Sequence, residues 1–111
     1  MNMDTQLFSH SQIMTFTEKV DYSPEGIVSK RVIQKDKGNV TLFAFDKGQK
    51  LSEHSAPFDA MIQVLEGHAE ILINRVPYEL TGGQAIIMPA NIPHAVNALE
   101  KFKMLLTMIK E

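Results

Sequence analysis

Residues 48–67 read GQKLSEHSAPFDAMIQVLEG, and residues 83–98 read GQAIIMPANIPHAVNA. Glycines bound the first stretch, at Gly48 and Gly67, and Gly83 opens the second. A positive φ costs glycine less than any other residue, so these three positions predict reversals of the chain. The short runs between them are rich in apolar and β-branched residues, a pattern typical of strands joined by tight turns.

Strand-like segments of this kind continue from residue 27 to residue 109. Ala69, Ile71 and Ile73 alternate with more polar residues, which indicates a strand whose two faces differ. The last segment is apolar on both faces, as expected where protein covers each side. Many short strands between turns predict an all-β fold, either a sandwich or a closed barrel. The predicted strands are 27–33, 40–45, 61–65, 69–73, 85–88 and 102–109.

The sequence predicts that the chain divides into two segments. Residues 1–26 form an N-terminal arm, in which residues 12–20 are compatible with a short helix or with an extended conformation. Residues 27–111 form a single β-barrel domain, because no linker, internal repeat or low-complexity tract divides them.

The two quoted stretches resemble the two motifs of the cupin superfamily, G-x5-H-x-H-x3-E-x6-G and G-x5-P-x-G-x2-H-x3-N. Fifteen residues separate them, the spacing of a compact member. Asn91 stands where glycine is usual, and asparagine tolerates a left-handed backbone. The resemblance implies a cupin double-stranded β-helix, or jelly-roll barrel. The matched positions are Gly48, His54 and Gly67 in the first motif and Gly83, Pro89 and His94 in the second.

In metal-binding cupins, two histidines and a glutamate of the first motif join one histidine of the second around a transition metal ion. Carried over to this chain, His54 and His94 are retained, whereas Ala56 and Ala60 occupy the other two positions. Catalytic metal sites ordinarily need three protein ligands. The resemblance therefore implies no firmly held cofactor, and a divalent transition metal at His54 and His94 would have an incomplete ligand set.

The same residues predict a pocket for an organic ligand. Asp59 and Gln63 face away from the interior unless a β-bulge reverses the alternation. Alanine at the two lost positions makes the pocket apolar, and two imidazoles within it can donate, accept and exchange protons near neutral pH. The predicted lining is His54, Ala56, Phe58, Ala60, Ile62 and His94.

Three functions are compatible with this pattern. The first is a protein that binds a small organic ligand around His54 and His94 without a tightly held metal, or that transfers a proton with them. The second is a metal-dependent cupin enzyme of the oxygenase or isomerase type. The third is a degenerate structural or interaction module. His54 and His94 are the candidate catalytic residues, and the residues do not decide between enzyme and binding protein.

Composition narrows the partners of the 111-residue chain. It has no cysteine, which excludes disulfides and agrees with a cytoplasmic location, and nothing in residues 1–12 indicates a secretory signal. The formal net charge of −2 disfavours nucleic acid, and no apolar run is long enough to cross a membrane. Residues 40–45 and 102–109 carry more apolar surface than one barrel interior needs, so we expect a homodimer that binds a small molecule.

Overall fold

A computed structural model describes residues 8–111, which form two antiparallel sheets around one interior. The strands of this part of the chain are β1 (Ile27–Lys35), β2 (Gly38–Phe45), β3 (Lys50–His54), β4 (Asp59–Glu66), β5 (His68–Ile73), β6 (Val76–Thr81), β7 (Ala85–Met88), β8 (His94–Ala98) and β9 (Phe102–Ile109). One sheet has the order β1-β2-β9-β4-β7, and the other has the order β3-β8-β5-β6.

The chain crosses between the sheets at short connections, as in a jelly roll. Four residues, 46–49, lead from β2 in the first sheet to β3 in the second, and one residue, Gly67, joins β4 to β5. The all-β barrel prediction is confirmed, and each predicted strand is present. Strands β3, β6 and β8 were not predicted from the sequence. The first is largely polar and the second contains Pro77, and both are edge strands, where such residues are tolerated.

Gly67 is required by the tight connection between β4 and β5. Its φ is +92°, and a Cβ at this position would lie 2.1 Å from the carbonyl oxygen of Lys101. Gly48 and Gly83 also have a positive φ, of 86° and 94°. Asn91 has a φ of 66°, so the predicted left-handed conformation is confirmed.

The core fills the space between the sheets with alternate side chains from each strand. Ile62, Ile71 and Phe102 are fully buried in it, and the rings of Phe45 and Phe102 stack with centroids 4.6 Å apart. The predicted inward positions of β4 and β5 are therefore correct. Burial of this apolar area is the main stabilising contribution to the fold.

The N-terminal arm covers part of the outer face of the five-stranded sheet. Val20 is fully buried there and belongs to a second apolar cluster with Leu42 and Leu105. Lys103 donates a hydrogen bond to the Thr17 carbonyl, which ties the arm to β9. Within the arm, residues 8–26 hold one three-residue 3₁₀ turn, Phe16–Glu18, rather than a helix over residues 12–20. No helix in residues 8–111 is long and apolar enough to cross a membrane.

The arm accounts for part of the surplus apolar surface on which the homodimer prediction was based. One row of side chains across the remaining outer face stays partly uncovered. In register across the five strands, it consists of Ile87, Met61, Thr107, Val40 and Ile33. The exposed fraction reaches 64% at Ile87 and 48% at Ile33, and the next row includes Asp59 on β4 and Lys35 on β1.

Candidate functional site

Two histidines of the four-stranded sheet meet at one end of the interior. His54 ends β3, His94 begins β8, and the two residues are paired in the antiparallel register. Their Nε2 atoms lie 3.2 Å apart, and the ring planes are inclined at 69°. His94 is 8% exposed, whereas His54 reaches solvent. The structure thus brings the two candidate residues together as one hydrogen-bonded pair, which we call the histidine pair.

A β-bulge directs His54 to the inside of the barrel. Leu51 pairs with the buried Val96 and packs on the core, so strict alternation from Leu51 would point residue 54 outward. The register of β3 against β8 shifts between Leu51 and His54, and the extra residue returns His54 to the inner face.

A backbone carbonyl orients the imidazole of His54, and this fixes the direction of the hydrogen bond between the two rings. Nδ1 of His54 lies 2.8 Å from the carbonyl oxygen of Ser52, so Nδ1–H donates and Nε2 remains an acceptor. Nδ1 of His94 lies 3.3 Å from the carbonyl oxygen of Ile92, a longer contact. Two acceptor Nε2 atoms cannot face each other favourably, so one of the rings must carry its proton on Nε2. The longer contact, from Nδ1 of His94 to the Ile92 carbonyl, is the one that can be lost at the lower cost. We therefore assign the proton of His94 to Nε2, from which it is donated to Nε2 of His54.

The site keeps His94 neutral. Burial lowers the pKa of His94 below its ordinary value, and the charge of a protonated His54 lowers it further. The carbonyl of Ile92 acts in the opposite direction, but less strongly. At neutral pH, His94 is therefore an uncharged imidazole that is hydrogen-bonded to the exposed His54.

The other predicted lining residues are distributed differently. Ala60 and Ile62 face the interior but are buried in the core cluster, at 3% and 0% exposed. Ala56 and Phe58 are half-buried in a loop, because β3 ends at His54 and β4 begins only after this loop. The ammonium group of Lys110 lies 5.1 Å from the Phe58 ring centroid. Whether Ala56 and Phe58 line the ligand site stays a prediction.

Comparison with known proteins identifies the family. The cupin-domain model matches residues 41–110, which include both histidines and more than half of the chain. The chain belongs to the cupin family. Its fold is also that of a conserved protein of unknown function from Streptococcus pyogenes, which is 39% identical with a TM-score of 0.91. That alignment covers 96% of this cupin and 93% of the other chain.

Two further solved structures are similar. A cupin 2 conserved barrel domain protein from Leptotrichia buccalis is 40% identical with a TM-score of 0.83, over 85% of this cupin and 46% of that chain. This cupin therefore spans about half of that longer protein. A cupin superfamily protein from Desulfitobacterium hafniense, 22% identical, shares the fold with a TM-score of 0.88, over 96% and 97% of the two chains. No curated protein sequence matches this cupin.

The donor set does not fit the metal ion of metal-binding cupins. Ala56 and Ala60 offer no donor atom, and Ala60 lies between its register partners Met88 and Met108. The side chain of Asp59 points away and accepts the amide of Ala90 at 3.0 Å. No group of three or more His, Cys, Asp or Glu side chains within residues 8–111 is placed to hold a metal ion. Two neutral imidazoles supply neither the ligand number nor the negative charge of a resident site.

Sequence reasoning missed a polar surface on the inner face of the five-stranded sheet. Asn39, Thr41, Phe43 and Phe45 share that face of β2, because their register partners on β9 belong to the core side. Thr41 pairs with Arg31 of β1, so the arginine lies on the same face. The signal was present in the sequence, as polar residues at alternate positions that lead into two phenylalanines.

Surface depressions lie elsewhere. One of about 520 Å³ is lined by Pro57, Asp59, Ala90, Ile109, Lys110 and Glu111. A second, of about 230 Å³, follows the arm and is lined by Phe8, Ser9, Gln12, Ile13, Met14 and Lys19. Neither includes His54 or His94. His54 is the solvent-exposed member of the histidine pair.

Proposed function

We propose that this cupin binds a small organic ligand at the histidine pair, in the barrel interior, without a tightly held metal. The supporting observation is the convergence of His54 and His94, whose Nε2 atoms lie 3.2 Å apart. The pair is anchored by the hydrogen bond from His54 to the Ser52 carbonyl and lies next to an apolar core, with one ring exposed and the other buried. Few polar groups on an otherwise apolar concave surface are typical of small-molecule sites.

The pair can also transfer a proton. His94 is neutral at pH 7 and donates to His54, whose ring contacts solvent and therefore any ligand that enters. A proton taken up from such a ligand binds Nε2 of His54 once the hydrogen bond from His94 opens, and the same nitrogen can return it to another atom of the ligand. General acid–base chemistry of this kind supports an isomerisation as readily as simple binding.

Co-purified ligand is the direct test. Protein purified by gentle, chelator-free chromatography should show, by native mass spectrometry, a bound small molecule that is released on unfolding. His54→Ala and His94→Ala should each lose it. His68→Ala is the matched control, because His68 is a histidine on the same sheet whose Nε2 contacts Glu79 and not the pair. Loss of the ligand from all three variants would contradict the assignment.

A metal-dependent enzyme is the alternative, and one distance favours it. Nitrogen ligands about 2.05 Å from one ion and 3.2 Å apart enclose an angle of about 103°, close to tetrahedral. Elemental analysis of protein purified without chelator decides between the two functions. One equivalent of metal that disappears in His54→Ala would favour the enzyme. Absence of both metal and bound ligand would favour the structural or interaction module.

The remaining partners are proposed on composition. The absence of cysteine agrees with the reducing cytoplasm, where we place the protein. A net charge of −2, with basic side chains spread among acidic ones, does not support binding to nucleic acid or to an anionic membrane surface. The uncovered apolar row on the five-stranded sheet suits a homodimer.

A further inference from the structure

A polar wall lies opposite the histidine pair, on the five-stranded sheet. The connection of residues 46–49 places β2 and β3 in different sheets on the same side of the barrel. Thr41 precedes Phe45, the end of β2, by four residues, and His54 follows Lys50, the start of β3, by four residues. At about 3.3 Å per residue, Thr41 lies roughly 13 Å above the connection, and His54 lies roughly 10 Å above it because the bulge in β3 absorbs one residue. Thr41 and His54 therefore lie at similar heights on the two facing sheets.

Arg31 extends this wall to the edge of the sheet. It pairs with Thr41, which pairs with Leu106, which in turn pairs with the core residue Ile62. Residues in direct register share a face of the sheet, so Arg31 and Thr41 lie on the inner face. Because the five-stranded sheet has one strand more than its partner, β1 extends as a ledge beside His54.

The polar groups of this wall are only partly used by the protein itself. Thr41 is 9% exposed, and its hydroxyl makes one long hydrogen bond of 3.4 Å to Asn39. Arg31 donates from one guanidinium nitrogen to the side-chain oxygen of Gln34, which orients the group. Within residues 8–111, Arg31 forms no ion pair with a carboxylate. An oxygen-bearing ligand would satisfy both the hydroxyl and the remaining guanidinium donors.

The exposed residues at this end of the barrel lie on the side of β1 and β3. Arg31 and His54 are exposed, whereas Ala60 and Met88, on the opposite side of the same end, are 3% and 2% exposed. Ala60 lies between its register partners Met88 and Met108. A ligand would therefore reach the histidine pair from the side of β3 and the β1 ledge.

We propose that Arg31 and Thr41 bind the carboxylate of a small organic acid whose apolar body lies on Leu106 and whose far end meets the histidine pair. The proposal rests on the proposed function, binding of an organic ligand at that pair. A guanidinium matches a carboxylate with two parallel hydrogen bonds, and the threonine hydroxyl can donate a third. Packed sheets lie about 10 Å apart, so a molecule the size of one substituted ring reaches from wall to wall.

Acid and amide probes of equal shape test the proposal. Benzoate and benzamide, and hexanoate and hexanamide, are titrated into ¹⁵N-labelled protein while the imidazole signals of His54 and His94 and the Nε signal of Arg31 are followed by NMR. We expect each acid to bind at least tenfold more tightly than its amide. Arg31→Gln should reduce this ratio to about one without changing amide affinity, and Thr41→Val should weaken acid binding severalfold.

Lys30→Gln is the matched control for charge. Lys30 neighbours Arg31 but pairs with Leu42 of the outer cluster, so its loss removes one positive charge from the other face and should leave the ratio unchanged. Equal affinity for acid and amide at the imidazole signals, or an unchanged ratio in Arg31→Gln, would overturn the proposal and leave the proposed function standing. Failure of all four probes to shift the imidazole signals would count against the proposed function itself.

Discussion

Restoring the two missing ligands tests the view that this barrel holds no resident metal. The double variant Ala56→His with Ala60→Glu would rebuild the three-histidine, one-carboxylate set of metal-binding cupins. Nε2 atoms that are 3.2 Å apart already suit two ligands at about 2.05 Å from one ion. The glutamate adds the negative charge that the parent site lacks. The variant should therefore bind a divalent ion far more tightly than the parent.

The structure gives the size of the effect. Ala60 is 3% exposed between Met88 and Met108, so the glutamate of the metal-free variant is a buried, unpaired charge. Such a charge costs about 3 kcal/mol or more. A loss of that size lowers the melting temperature of a domain of this length by roughly 12 °C. A metal at one hundred times its dissociation constant returns about 2.7 kcal/mol, which offsets most of the loss.

The assay is thermal unfolding with and without Zn²⁺ or Co²⁺, together with the visible absorption of tetrahedral Co²⁺ and the metal content of purified protein. The same variant with Ala60→Gln keeps the shape without the charge and should gain less from the metal. Adding His94→Ala should remove most of the gain. The reasoning is refuted if the metal does not stabilise the double variant, or if the parent purifies with stoichiometric metal that His54→Ala abolishes.

Three further predictions follow from the fold and the site. The pKa of His94 in the folded protein lies below its unfolded value of about 6.5. At pH values near and below 6.5, the unfolded chain therefore binds more protons than the folded protein. The free energy of unfolding from urea titrations should thus fall as pH drops below about 6.5, and His94→Gln should flatten this dependence. Gly67→Ala should lower stability by about 2–4 kcal/mol in the same assay, because its Cβ meets the Lys101 carbonyl. Light scattering should show a homodimer that Ile33→Asp with Ile87→Asp makes monomeric, while a monomeric parent would refute the dimer.

The fold was predictable because each local signal agreed with the others. Alternation in residues 69–73 predicted two different faces and the apolar residues of 102–109 predicted two covered faces, and Ala69 and Ile71 are indeed buried, as are both faces of β9 at its start. Gly67 lies at a reversal that no other residue could occupy without moving the backbone. The arm was not predictable to the same degree. Its place depends on the distant packing of Val20 against β2 and β9, and on a hydrogen bond from Lys103 to Thr17, neither of which leaves a local pattern.

The site could be predicted from the sequence only at the positions that the two cupin motifs cover. The motifs named both histidines, but residues 55–58 are a loop and not a strand, so alternation could not be used to place Ala56 and Phe58. The bulge in β3 that turns His54 inward could not be derived from residue types. The polar wall opposite the histidine pair could be located only from the strand register, since Arg31 and Thr41 become neighbours only when β1 pairs with β2.

Charge explains how a barrel of this family can bind a ligand after losing its metal ligands. A metal site combines a cation with a carboxylate that retains it, and Ala60 removes that carboxylate. Arg31 places a permanent positive charge on the facing wall, without a carboxylate partner in residues 8–111. A protein-borne cation can hold an organic anion directly, where a metal would have bridged it. We therefore expect an organic anion on the side of His54 and Arg31, and none on the side that Met88 and Met108 fill around Ala60.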